Sequence, residues 1–186
     1  MLFRSKPKRS FLLSVIGHLR PEKDPFCIVR AIPYLDEDSR VKIQHLGMAM
    51  NRDMKKSALQ YSKKIDRYSW LGERSHRKTL QELARSHILV ISSRMEGGAH
   101  VVSEAIAAGT PVIASAIAGN RGLLGKNYPG YFPVEDEHAL AQLIMKAETN
   151  PEFYQSLVRH VKALQKQVQP RRELASIRKL VRSLIS

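Results

Sequence analysis

Residues 87–115 read HILVISSRMEGGAHVVSEAIAAGTPVIAS, and this stretch decides the fold. HILVISS is apolar throughout, which marks a central strand covered on both faces. VVSEAIAAG (101–109) follows as a helix, with Gly109 in the usual position just past a helix end. TPVIAS (110–115) is then the next strand. A strand, a glycine-bearing turn, a helix and another strand make one parallel crossover unit. Within it, Glu96 and Glu104 stand eight positions apart, with Gly97 and Gly98 directly behind the first.

The same alternation runs outward in both directions. FLLSVI (11–16), VKIQHLG (41–47) and RYSWLG (67–72) read as strands, and GYFPV (130–134) as a last short one. Helical segments are expected at 24–35, opened by Asp24 as cap with Pro25 behind it, and at 51–65 and 76–86. Further helices are expected at 136–148, 151–168 and 171–185. The expected architecture is α/β, a Rossmann-like three-layer parallel sheet. Its parts are a basic tail (1–10), a Rossmann-like domain (11–170) and a terminal helix (171–186). Leu174, Ile177, Leu180, Val181 and Leu184 give that helix an apolar stripe fit to pack on another domain, and left bare it would promote self-association.

Composition narrows the function. The chain has 186 residues, 43% hydrophobic and 26% charged, as expected of a folded soluble domain. The apolar part of the start, Phe11 to Ile16, is too short for a secretory leader, and no run approaches a membrane span. A single cysteine, Cys27, excludes an internal disulfide and a multi-cysteine zinc site, and suits a reducing cytoplasm. The net charge of +14 favours polyanions in general. The basic residues are scattered, with no RNP-type aromatic motif or Cys/His finger, so a solvated basic surface with an anionic ligand accounts for them better than specific nucleic-acid reading.

In parallel sheets of this kind ligands bind at the carboxyl ends of the strands. Three loops are expected there: GHLRPEKDP (17–25), SSRMEGGAHV (92–101) and AIAGNRG (116–122). Gly97 and Gly98 let the backbone turn sharply and approach a ligand closely. The amides from Gly98 through Ala99 and His100 to Val101 would be free donors at a helix start, suited to phosphate. Glu104, a turn further in, can accept paired hydroxyls, while Glu96 stands at the cleft mouth. Glutamates near a helix start also serve as dipole partners or caps, so spacing alone leaves both roles open. Arg20 and Lys23 could clamp a diphosphate, or be solvated loop cations. His18 reads as a loop histidine rather than a general base.

The ordered set GHLRPEKDP, WLG, ISSRMEGGAHVVSEAIAAGTPVIAS and GNRGLLG resembles the donor half of a GT-B glycosyltransferase. It is most similar to the retaining family-four enzymes, whose mark is two glutamates separated by seven residues before a helix. Ser93 matches that family's serine at the end of the preceding strand. GHLRPEKDPF, SSRMEGGA and GNRGLLG with YPGY further resemble the selenosugar synthases of selenoneine biosynthesis, which join a sugar from UDP-N-acetylglucosamine to selenophosphate. The resemblance implies that Glu104 binds ribose hydroxyls and that Glu96, Gly97 and Gly98 meet the donor sugar. It also implies that Arg20 and Lys23, with Gly17 and His18 of their loop, hold the diphosphate. Residues near Trp70 to Glu73 and Gly47 to Met48 would border the base, and Gly119 and Asn120 would stand near the sugar. Three departures stand out. His18 occupies the arginine position of the family's phosphate loop, Gly119-Asn120-Arg121 replaces its later Gly-Gly-x-x-Glu, and His100 stands where asparagine is usual.

A catalytic set of Glu96, Lys23 and Arg20, a nucleotide-sugar donor and no cofactor or metal are thus expected. So is a cytoplasmic enzyme whose acceptor-binding, N-terminal domain is missing from this chain. Other readings are a sugar-nucleotide epimerase of the same fold and a non-catalytic anion- or nucleic-acid-binding module.

Overall fold

Every residue of the strand Ile88–Ile91 is buried, and so is every residue of Val112–Ser115. Continuous apolar runs without alternation have no solvent face to offer, and these two lie at the interior of the sheet. The computed structural model describes residues 6–7, 9–96 and 100–166. Six strands form one parallel sheet: β1 (Phe11–Ile16), β2 (Val41–Leu46), β3 (Tyr68–Gly72), β4 (Ile88–Ile91), β5 (Val112–Ser115) and β6 (Tyr131–Phe132). Their spatial order is β3-β2-β1-β4-β5-β6. The chain therefore winds one way from β1 to β3, then returns to β4 on the other side of β1. A switch point opens between β1 and β4.

The helices are α1 (Cys27–Ala31), α2 (Arg52–Lys64), α3 (His76–Arg85), α4 (His100–Ala108), α5 (Ala118–Leu124), α6 (Glu137–Thr149) and α7 (Pro151–Gln165). Asn51 caps α2 by accepting from the Met54 amide, and Asp136 and Asn150 do the same for α6 and α7. α4 packs against α3 and α7, while α1 packs against α6. Gly109 ends α4 at φ +72, and the next amide, of Thr110, returns to the Ala105 carbonyl at 2.9 Å. Among the described residues no helix is long and apolar enough to cross a membrane.

Two expected elements differ. The segment 24–35 is not one helix: a 3-10 turn (Pro21–Lys23) precedes α1, and a second (Ile32–Tyr34) follows it. Asp24 closes the first turn in the left-handed region at φ 40, so its backbone cannot start a helix. Its carboxylate instead accepts from both terminal guanidinium nitrogens of Arg30, at 2.8 and 3.1 Å. The stretch 116–122, expected as a loop, largely belongs to α5. In the basic tail Lys6 is tied down, donating to the Tyr154 hydroxyl at 2.9 Å, and burial lowers its pKa to about 8. The expected helix at 171–185 lies outside the described residues.

Candidate functional site

The carboxyl ends of β1, β2 and β4 open into a cleft of about 620 Å³, directly at the switch point. Three walls build it. Gly17, His18, Arg20 and Lys23 come from the loop after β1. Glu96, His100, Val101 and Glu104 come from the loop after β4 and the first turns of α4. Glu73, Arg74, His76 and Thr79 come from the β3–α3 connection.

The first two loops are held as one body. The Ser92 hydroxyl donates to the carbonyls of Asp24 (2.8 Å) and Lys23 (3.2 Å), and the Arg94 amide donates to the Glu22 carbonyl at 2.8 Å. Across them Lys23 pairs with Glu96. The Glu96 carboxylate also accepts from the Ser93 hydroxyl at 2.8 Å, and its side chain is 10% exposed. A cation and a carboxylate, both reached by solvent, thus face each other where a ligand's phosphate and hydroxyls could replace them. Glu104 stands further along α4 and reaches the β3–α3 wall, its Oε1 3.6 Å from Nδ1 of His76. Arg20 stands further out, 3.8 Å from Glu22.

The loop after β1 is also stapled to the end of β2. Gly17 donates to the Leu46 carbonyl and Leu19 to that of Met48, both at 2.9 Å, and Leu19 and Ala49 form a parallel bridge beyond the sheet. Where the two segments cross, a Cβ on Gly47 would stand 1.9 Å from the Gly17 carbonyl oxygen, at φ +151. No side chain fits there, which explains a glycine at this position. Below lies His45, 1% exposed, its Nδ1 2.9 Å from the Tyr68 hydroxyl and its Nε2 without a hydrogen-bond partner among the described residues. Burial lowers its pKa to about 4, so the imidazole is neutral near pH 7.

Of the residues expected from sequence, Gly17, His18, Arg20, Lys23, Glu96, His100, Val101 and Glu104 meet in this cleft. Gly97, Gly98 and Ala99 lie outside the described residues. Gly119 and Asn120 do not line it. Asn120 is completely buried in α5, donating to the Ser115 carbonyl at 2.9 Å and approaching the Ser115 hydroxyl at 3.3 Å. That hydroxyl donates to the Ser93 carbonyl at 2.6 Å, so Asn120 braces the strand ends beneath Glu96. The β3–α3 wall was expected only as far as Glu73. Its signal, GERSH directly after a strand (72–76), is the same strand-end placement that marked the other loops. The chain's one Asp-x-Asp triplet, Asp36–Asp38, precedes β2 and so lies at the opposite end of the sheet from the cleft.

A family model described as "Glycosyl transferases group 1" matches residues 3–164. Among curated proteins none matches. HepE from Anabaena, solved in complex with UDP and glucose, superposes with a TM-score of 0.78 at 19% identity, over 95% of this chain and 48% of its own. A sucrose-phosphate synthase from Thermosynechococcus elongatus gives 0.79 at 22% identity, over 96% of this chain and 46% of its own. The likeness shows the fold, and the chain spans about half the length of these structures.

Proposed function

Because the chain belongs to the group 1 glycosyl transferases, we propose that its cleft is the donor site of a glycosyltransferase that uses a UDP-sugar. The observation that carries this reading is the convergence of Lys23, Glu96 and Glu104, from two loops and a helix, in one cleft at the switch point. Glu104 accepts the ribose hydroxyls. Lys23 and Arg20 hold the diphosphate and offset the charge that grows on it as the glycosidic bond breaks. Glu96, released from Lys23 by the incoming phosphate, accepts sugar hydroxyls together with the Gly97–Gly98 segment. The HepE complex with UDP and glucose supports a uridine nucleotide here. The motif similarity to selenosugar synthases favours UDP-N-acetylglucosamine as the donor and a selenophosphate-type acceptor. A second α/β domain, making up the rest of the length seen in the solved structures, supplies the acceptor side of the enzyme. No cofactor or metal enters this scheme, and the enzyme works in the cytoplasm.

Calorimetry with UDP and UDP-N-acetylglucosamine tests the reading. Glu104→Ala and Lys23→Ala are each expected to weaken UDP roughly tenfold or more, since each removes a charge-assisted hydrogen bond. A folded chain that binds no uridine nucleotide overturns it.

A further inference from the structure

The positive charge is scattered along the sequence, but folding gathers part of it on the outside of α2. Arg52, Lys55, Lys56, Lys63 and Lys64 are all exposed there. Among the described residues none of them makes an ion pair. In an α-helix, positions 52, 56, 59 and 63 fall in one stripe along the surface. That stripe reads Arg, Lys, Leu, Lys, and Leu59 within it is 53% exposed. The opposite side packs inward: Ala58 is completely buried, and Tyr61 meets Phe26 and Tyr68 edge-on, with ring centroids 5.1 and 6.5 Å apart.

Helix stability accounts for only part of this set. Lys63 and Lys64 stand in the last turn, where the helix dipole favours cations. Arg52, Lys55 and Lys56 stand in the first turns, at the dipole's positive end. Arg52 also repels Lys55 and Lys56, three and four positions on. Asp53 is the one acid of the first turn and pairs with none of them among the described residues. Charges that oppose their own helix gain from a negative surface outside the chain.

The chemistry of the stripe favours lipid over nucleic acid. An exposed leucine among lysines suits the boundary between headgroups and acyl chains, where the ammonium groups reach outward to phosphate. Of the five cations only Arg52 carries the planar fork suited to nucleic-acid recognition. Tyr61, the single aromatic of the helix, is turned inward, so bases have no ring to stack on.

We propose that the outer stripe of α2 is a docking surface for an anionic lipid bilayer, with its five cations among the headgroups and Leu59 at the acyl boundary. No residue of α2 lines the cleft, so a docked chain keeps its nucleotide site open.

Co-sedimentation of the chain with vesicles tests this, using phosphatidylcholine alone and phosphatidylcholine with about one third phosphatidylglycerol. Binding is expected only with the anionic lipid, and it should fall as salt rises. Replacing Arg52, Lys56 and Lys63 together by Gln should weaken it roughly hundredfold, at about fivefold per cation. A control replaces Lys126, Arg159 and Lys162, exposed cations outside α2, and removes the same charge. It should cost less than about fivefold. Leu59→Gln should weaken vesicle binding roughly threefold and leave binding to single-stranded RNA unchanged. Thermal midpoints of the three variants, expected near that of wild type, show that each is folded. Absence of vesicle binding by wild type overturns the proposal. So does an equal loss from the two triple variants, which would make the attraction one of net charge. Wild-type vesicle binding by Leu59→Gln overturns it too, and so does RNA binding through α2 in the absence of vesicle binding.

Discussion

Lowering the pH from 7.5 to 5 should destabilise the fold through His45 in particular. In the unfolded chain this imidazole takes a proton near pH 6.5, whereas burial delays protonation in the fold to about 4. Between those values the unfolded state binds more protons, so stability falls as pH falls through that window. Above pH 6.5 the group has no effect of this kind. At 1.36 kcal/mol per pH unit the loss is roughly 2 kcal/mol at pH 5 and approaches 3 kcal/mol near pH 4. With a urea dependence of roughly 2 kcal/mol per molar, the wild-type midpoint should drop by about 1 M between pH 7.5 and 5 on this account alone. His87 acts in the same direction, its pKa lowered to about 4 by burial and then by Lys6 and Arg40. It is less buried, so its share is smaller. The clean measurement is therefore the difference between wild type and His45→Gln, which keeps a polar partner for the Tyr68 hydroxyl. If both proteins lose the same midpoint between pH 7.5 and 5, the account of His45 is wrong.

Gly47→Ala should be among the most damaging small substitutions, because its methyl group would occupy the Gly17 carbonyl. UDP binding by calorimetry should be lost, and the thermal midpoint should fall by several degrees, corresponding to about 1–3 kcal/mol. Asn120→Ala should cost roughly 1–3 kcal/mol in urea, by removing a buried donor from the Ser115 carbonyl, which keeps the Ile117 amide, yet change UDP affinity by less than about threefold. A loss of UDP affinity without a loss of stability would restore Asn120 to the ligand.

Most strands were legible in the sequence because an apolar run such as ILVI has few alternatives once both flanks carry turn residues. The capped helices were legible for a similar reason: Asn51, Asp136 and Asn150 each sit just before a helical pattern. The segment after Asp24 was not, because CIVRAIPYL is apolar enough for a long helix. Two things break it up: a left-handed Asp24 drawn to Arg30, and Pro33, which has no N–H to donate. The first two walls of the cleft were readable from glycines and acids at strand ends. The third was missed beyond Glu73, since Arg74, His76 and Thr79 carry no glycine-acid pattern and gain meaning only from the strand order. Asn120 misled in the opposite direction. Its glycine-flanked setting reads as a loop, but burial of Leu124 and its own bonds to Ser115 hold the segment as a helix.

The switch point also bears on how the protein reaches its folded state. β1 and β2 join residues about 30 positions apart, as Ser14 and Gln44 do, and β2 and β3 join His45 to Tyr68 over 23. β1 and β4 join Leu12 to His87 over 75. Closing that long loop is the slowest of these pairings on entropic grounds, so β1, β2 and β3 can assemble before β4 arrives. Lys23 and Glu96 stand on opposite sides of this last seam. The cleft therefore comes into being with the closing contact of the sheet, and the recovery of nucleotide binding during refolding times that event.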